Sequence, residues 1–162
     1  MAFTMRNLGF GVLVVASLTL LTHGYPTGAP VDVCAMSDGE PHHGTAVSQP
    51  ANTSPYTFTA SSSEYSPNSQ ITVTISGAPF KGFLIQARDK ETGSWIGSWE
   101  KTDQTNTHPE CSAVTHADPH VKEEATFIWT APPKGQGHVE FTGTILKEYS
   151  TFWSKLVATV NH

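Results

Sequence analysis

The sequence predicts an all-β fold, an antiparallel β-sandwich, from three observations. Only 14% of the 162 residues are charged, well below the usual fraction of about 25%, while Ser, Thr, Gly and Pro are abundant, as in strands joined by turns. Several short segments alternate apolar and polar residues with the period of a strand. No amphipathic helix of useful length competes with them. The chain is long enough to bury one domain core without relying on a metal or on many disulfides.

Residues 1–24 are predicted to be a cleaved signal peptide rather than part of the fold. A single basic residue, Arg6, precedes an apolar run over residues 8–21, which is too short to span a bilayer comfortably. The small residue Gly24 suits signal peptidase, so that the mature protein is one domain over residues 25–162. The alternative is a retained membrane anchor. No other stretch approaches spanning length, so we expect a secreted chain without a membrane span.

The net charge narrows the functions that the chain can have. Its formal value is −5 and becomes −6 when the one basic residue of the leader is removed. Binding to a nucleic acid or lysis of an anionic membrane requires a basic patch. The acidic balance therefore argues against both functions.

The two cysteines are predicted to form one disulfide. In an oxidising compartment, Cys34 and Cys111 most simply pair with each other. The rival interpretation, a pair of metal ligands or a redox pair, lacks the close Cys-x-x-Cys spacing. Because Cys34 precedes every predicted strand, we expect that the bridge is not the inter-sheet bridge of an immunoglobulin domain.

A glycosylation sequon gives a second indication of secretion. It is Asn52-Thr53-Ser54, with no proline at its middle position. The sequon lies in a polar stretch flanked by prolines, where an asparagine side chain is exposed. We therefore predict N-glycosylation at Asn52.

The first four predicted strands follow a proline-rich coil. Residues 25–55 show no sustained periodicity, so at most one short edge strand is expected there. A brief alternation occupies residues 56–59. Residues 70–76 alternate strictly between apolar side chains and polar side chains, most of which carry a hydroxyl. A Gly/Pro turn leads to an apolar strand over residues 83–88. A polar turn then leads to a short aromatic strand over residues 95–99.

The last four predicted strands complete the sandwich. Residues 101–110 are polar and are predicted to be a loop. Strands follow over residues 111–116 and 125–130, the second of which is stopped by two prolines. The final strands are expected over residues 139–145 and 156–160. Short strands at such regular intervals, joined by Gly/Pro turns, are typical of a sandwich.

Aromatic side chains are the candidate ligand surface. Exposed aromatic rings stack on sugars and line apolar pockets. We assign Trp129 to the core because it lies within a clear strand. Trp95 and Trp99 are the better candidates for a partly exposed binding surface.

The sequence offers no catalytic or metal-binding pattern. The seven histidines after the leader are interpreted as exposed loop and terminal residues, since a spacing such as that of His116 and His120 means little across Pro119. The chain has no Gly-x-Ser-x-Gly, no His-Glu-x-x-His, no phosphate-binding loop and no haem-attachment motif. We therefore expect no enzymatic activity and no cofactor.

Four ordered motifs resemble those of the reeler domain. They are Lys81-Gly-Phe-Leu-Ile-Gln-Ala-Arg88, residues 111–118, residues 125–133 and residues 139–153. Within that family, the chain is similar to small, secreted, single-domain insect proteins called "putative defense proteins", which are induced by infection. The resemblance covers nearly all of the mature chain. It implies an immunoglobulin-like sandwich secreted into the haemolymph, with the cysteine pair of the family at Cys34 and Cys111.

The resemblance also implies a role in innate immunity. We expect a monomeric, antimicrobial protein that acts by binding microbial surface components. The alternatives are a metal-binding or redox-associated extracellular reeler protein, or an extracellular interaction module outside immunity. Reeler domains also occur in ferric-chelate reductase-like proteins, joined to a haem-binding domain and a membrane cytochrome domain. The sequence ends at His162 without either domain, so we do not expect reductase activity.

Overall fold

The computed structural model describes residues 25–36, 40–41 and 43–160 of the chain. The predicted signal peptide, residues 1–24, lies outside them. In chain order the strands are β1 (Thr57–Ala60), β2 (Glu64–Tyr65), β3 (Gln70–Ser76), β4 (Gly82–Asp89), β5 (Ser98–Trp99), β6 (Thr105–His108), β7 (Ala113–His116), β8 (Ala125–Thr130), β9 (Gly137–Glu148), β10 (Thr151–Val157) and β11 (Thr159–Val160).

The strands form two sheets, which confirms the predicted β-sandwich. The first sheet has the order β11-β1-β3-β8-β5, and the second has the order β10-β9-β4-β7-β6, with β2 paired to β9. The pairings between neighbours are antiparallel except for β1 and β11, which run parallel where Thr59 meets Thr159. The sandwich is therefore antiparallel with one parallel pair at its edge.

The main core lies between the two sheets. The predicted alternation of β3 places Ile71, Val73 and Ile75 in this core, because successive side chains of a strand point to opposite faces. Trp129 of β8 is fully buried there, as the sequence predicts. Burial of each large apolar side chain stabilises the fold by roughly 1.5–3 kcal/mol.

Several segments differ from the prediction. The short strand β2 was not predicted, and only the last two residues of the predicted strand over residues 95–99 form a strand, β5. Residues 101–110, predicted to be a loop, contain the edge strand β6, which pairs with β7. Its side chains are polar on both faces, so no alternation marks it, and its backbone pairing holds it in place. The predicted strand over residues 156–160 is the end of the longer β10 and the short β11. Pairing with β9 is irregular near Lys155, whose φ is 57°.

The N-terminal segment packs on the outside of the sandwich. The described residues before β1 contain two 3-10 helices, Val31–Ala35 and Ala51–Thr53. These residues contain no strand, so the short edge strand that the sequence allowed in this segment is not found among them. We call residues 25–36, 40, 41 and 43 the strap. Val33 of the strap packs with Leu84 of β4 and Ala113 of β7 in a second apolar cluster. The strap thereby covers part of the outer face of the second sheet.

The predicted disulfide is confirmed. It joins Cys34, in the 3-10 helix Val31–Ala35, to Cys111, in the 3-10 helix Pro109–Cys111. Neither cysteine lies in a strand, so the bridge does not pin one sheet to the other, also as predicted. It fixes the strap to the second sheet beside Leu84.

Candidate functional site

A cavity of about 520 Å³ lies between the strap and the second sheet. Its volume falls within the range of roughly 300–1,000 Å³ that is typical of small-molecule sites. Leu84, Thr144 and Leu146 form the wall on the sheet side, and Val33 and Met36 contribute from the strap.

The apolar wall follows from the pairing of β4 with β9. Leu84 pairs with Thr144, and Gly82 pairs with Leu146. The neighbouring residues Phe83 and Ile145 point into the main core, so Leu84 and Leu146 point outward, toward the strap. Two apolar side chains on the outer face of a sheet are stabilised when they are shielded from water, and the strap, which the disulfide holds in place, shields this pair.

His116 closes one end of the cavity and holds the start of the strap. Its Nδ1 accepts a hydrogen bond from the backbone N–H of Phe83 at 3.2 Å, and its Nε2 donates to the carbonyl of Tyr25 at 3.2 Å. Burial lowers the pKa of His116, and nearby Lys122 lowers it further, while the backbone contacts and Asp118 oppose this shift. The ring is therefore held neutral, with its proton on Nε2.

His43 is the second buried histidine of the cavity. Its Nδ1 donates to the carbonyl of Tyr149 at 2.6 Å, and its ring stacks on that of Tyr149 with 4.2 Å between centroids. Burial lowers the pKa of His43, and the hydrogen bond to Tyr149 partly offsets the shift.

These two residues correct the interpretation that all the histidines are exposed. His43 and His116 are buried, whereas His120 and His138 are exposed as predicted. His42 and His162 lie outside the described residues. A signal that His116 is buried was present in the sequence, because it lies two residues after inward-facing Val114 in a predicted strand, although that pattern does not predict its contact with the strap. No comparable signal marks His43, which lies in the coil.

The buried histidines make stability depend on pH. Because the pKa of His116 is lower in the folded chain than its ordinary value of 6.5, the unfolded chain takes up a proton first as the pH falls. We therefore expect the free energy of unfolding to decrease between pH 7.5 and pH 5.5. Urea denaturation at both values should show a smaller decrease for His116→Gln, which keeps a donor for the Tyr25 carbonyl. His138→Gln, at an exposed position, is the control and should behave as wild type. Equal pH dependence in all three proteins would contradict this assignment.

The mouth of the cavity is acidic. Among the described residues that line it, the exposed charged side chains are Asp32, Glu148 and Lys81. Glu40, a partly exposed residue of the lining, forms an ion pair with Lys155 at 3.2 Å and accepts a hydrogen bond from the Ser154 hydroxyl. The mouth therefore offers more carboxylates than ammonium groups to an incoming ligand.

Comparison with known families identifies the fold. The family model described as the Reeler domain matches residues 33–161. The chain belongs to the reeler domain family. The resemblance drawn from the four sequence motifs is thereby confirmed.

Curated relatives of this reeler domain fall into two groups by length. The chain is 37% identical over 150 residues to "Putative defense protein 3" of Antheraea mylitta, and the match covers 88% of each chain. It is 39% identical over 155 residues to "Putative defense protein Hdd11-like" of Samia ricini, covering 88% of this chain and 89% of the other. It is 34% identical over 159 residues to "Ferric-chelate reductase 1" of Bos taurus, covering 90% of this chain. The chain spans only 26% of that reductase.

Solved reeler domains share the fold. A crystal structure of the human F-spondin reeler domain (fragment 2) has a TM-score of 0.55 at 21% identity and covers 72% of this chain and 92% of its own. Fragment 1 of the same domain has a TM-score of 0.54 at 23% identity, with coverages of 64% and 85%. At such identities, the likeness concerns the fold alone.

The prediction that Trp99 belongs to an exposed surface is wrong. In this reeler domain Trp99 is 8% exposed, and its Nε1 donates to the carbonyl of Ser112 at 2.8 Å. Trp99 pairs with Trp129 across β5 and β8, so it faces the core. Trp95 is half-buried, with the guanidinium of Arg88 4.0 Å from its ring centroid. A ligand contact at Trp95 stays a prediction, and neither tryptophan lines the cavity.

The predicted glycosylation site lies on the surface. Asn52 is exposed within the 3-10 helix Ala51–Thr53. The next residue, Thr53, accepts a hydrogen bond from Nε1 of Trp153 at 3.0 Å. Glycosylation of Asn52 stays a prediction.

The described residues contain neither a candidate metal-binding cluster nor a candidate membrane-spanning helix. Within residues 25–36, 40–41 and 43–160, no group of three or more His, Cys, Asp and Glu side chains is arranged to hold a metal ion. In the same ranges, no helix has the length and apolar character needed to cross a membrane.

Proposed function

We propose that this reeler domain is an extracellular, non-catalytic defense protein that binds a microbial surface component, with the cavity beneath the strap as its binding site. The cavity is the observation that carries the proposal. It combines an apolar wall with a volume suited to a small ligand or to part of a larger one.

The chemistry of the cavity favours binding over catalysis. Both ring nitrogens of His116 are engaged by backbone groups, at Phe83 and Tyr25. Nδ1 of His43 is engaged by Tyr149. General acid–base catalysis needs a group that is free to exchange a proton with its substrate. His116 therefore serves to position the backbone around the cavity, and the hydrogen bond from Nδ1 of His43 fixes its ring beside that of Tyr149.

Two further observations support defense outside the cell. The disulfide between Cys34 and Cys111 is typical of proteins in oxidising compartments. The insect relatives whose names include "defense protein" match along 88–89% of their own length. Because the match covers most of the defense proteins but only a small part of the much longer reductases, it supports a defense role better than it supports reductase activity.

A binding panel tests this function. The full chain, secreted from eukaryotic cells so that leader, disulfide and sequon are processed, is incubated with lipopolysaccharide, peptidoglycan, β-glucan and intact microbial cells. We expect saturable binding to at least one of them, with a dissociation constant in the micromolar range or tighter. Asn52→Gln, which removes any glycan, should bind equally, because the sequon lies apart from the cavity lining. Binding to none of the four would refute the proposed function, as would binding that requires the Asn52 glycan.

A further inference from the structure

We infer that the cavity takes one alkyl chain of a neutral lipid whose hydroxyl-bearing head group stays at the acidic mouth. The inference specifies the ligand class of the site and rests on the proposed function for the microbial source of that lipid. It is carried by the volume of the cavity, its apolar walls and the charges at its mouth.

The volume suits a single chain. A methylene group occupies about as much space as a water molecule, roughly 30 Å³, and the cavity measures about 520 Å³. A chain on the order of a dozen carbon atoms therefore fits, with room for imperfect packing.

The walls provide apolar contacts from two opposite sides. Leu84 and Leu146 project from the second sheet, and Val33 and Met36 project from the strap. Met36 and Leu146 are only half-buried, so each retains apolar surface that a ligand can cover. Covering that surface is the main driving force available to a chain in this cavity.

The deep part of the cavity disfavours an anionic group. Since burial lowers the pKa values of His43 and His116, both rings are neutral at physiological pH. Among the described residues that line the cavity, Lys81 is the one ammonium-bearing side chain, and it is exposed at the mouth. Lys122, whose charge reaches His116 from outside the lining, is already paired with Asp118 at 3.1 Å. A buried carboxylate or phosphate would therefore lose its hydration without gaining an uncompensated buried cation as a partner.

The mouth favours a neutral donor-bearing head group. The carboxylates of Asp32 and Glu148 are acceptors, and hydrogen bonds from hydroxyl groups to carboxylates are stronger than those between neutral groups. Glycerol and sugar head groups present such hydroxyls. Anionic head groups instead meet two negative charges against the single positive charge of Lys81.

Two ligands of equal chain length test the inference. Glycerol monolaurate and laurate are titrated into the full secreted chain by isothermal titration calorimetry at pH 7.4, below their micelle-forming concentrations. We expect glycerol monolaurate to bind with a stoichiometry of one. Laurate should bind at least about fivefold more weakly, because its carboxylate meets the acidic mouth. Equal or tighter binding of laurate would overturn the neutral head group, and no binding of either ligand would overturn the alkyl-chain site.

Filling the cavity locates the bound chain. Leu146→Trp on β9 and Met36→Trp on the strap should each weaken binding of glycerol monolaurate by about tenfold or more, since the indole occupies space that the chain needs. Ile128→Trp, at an equally half-buried position on β8 in the other sheet, should bind as wild type. Each variant is first checked for the wild-type circular dichroism spectrum. If one of the two cavity variants does not fold, the affinity of the other tests the assignment. Unchanged affinity in a folded cavity variant would overturn the assignment to this cavity.

The two proposals can fail separately. If glycerol monolaurate does not bind while the protein binds intact microbial cells, the alkyl-chain site is wrong and the proposed function stands. If glycerol monolaurate binds in the cavity but no microbial component is retained in the panel, the lipid site stands and its microbial source is wrong.

Discussion

Replacing both Cys34 and Cys111 with alanine is expected to lower the free energy of unfolding by about 2–5 kcal/mol. The bond joins residues separated by 77 positions, so removing it restores considerable conformational freedom to the unfolded chain. It also releases the strap, whose attachments to the sheets besides the disulfide include the Val33 contacts and a few hydrogen bonds. Urea denaturation at pH 7.5, monitored by tryptophan fluorescence, measures the difference.

Hydrogen exchange distinguishes the two contributions of this disulfide. In the double variant, amides of the strap such as that of Ala29, which donates to the Thr115 hydroxyl, should lose more protection than amides of β3 and β8. Reduced wild-type protein is the control and should match the double variant. A loss of stability below about 0.5 kcal/mol, within the effect of ordinary surface substitutions, would contradict a structural role for the bridge. The double variant should also bind glycerol monolaurate more weakly, because the strap forms one wall of the cavity.

The strands that carry the core were predictable because their side chains alternate. Residues 70–76 match β3, and residues 125–130 match β8 in full. Both strands face the core on one side only, so burial imposes a period of two on their sequences. β6 has no such pattern, because Thr105–His108 is a polar edge strand. Its existence depends on pairing with β7, which the local sequence does not encode.

The candidate site was much less predictable than the fold. The cavity depends on how a coil without periodicity packs on the outer face of a sheet. Alternation along β4 predicts that Phe83 and Ile85 face the core, which leaves Leu84 on the outer face, but nothing in its sequence context reveals that the strap covers it. The mistake at Trp99 has a related cause. In a strand of two residues, the side that faces inward is set by the pairing with Trp129.

Gly97→Ala is expected to lower the free energy of unfolding by about 2–4 kcal/mol, the sum of a backbone and a packing contribution. Gly97 has a φ of 70°, in the left-handed region that favours glycine. An added Cβ would also overlap the indole ring of Trp129. That ring has little freedom to move, because it is fully buried and its Nε1 donates to the carbonyl of Ile96 at 3.0 Å.

Gly93→Ala is the matched control for the backbone contribution. Gly93 lies in the same connection between β4 and β5 and has a φ of 71°, but a Cβ there would meet no atom within 4 Å. We expect this variant to lose only about 1 kcal/mol. Because the two glycines have nearly the same positive φ, the difference between their effects in urea denaturation measures the clash with Trp129. Near-ultraviolet circular dichroism should change only in Gly97→Ala. Equal losses of stability in the two variants would mean that the core rearranges around Trp129 without cost.

The Ile96 carbonyl, which also accepts a hydrogen bond from the Ser112 hydroxyl at 2.6 Å, would be displaced with the ring of Trp129 in Gly97→Ala. The strain would therefore spread toward Cys111 and the disulfide that holds the strap.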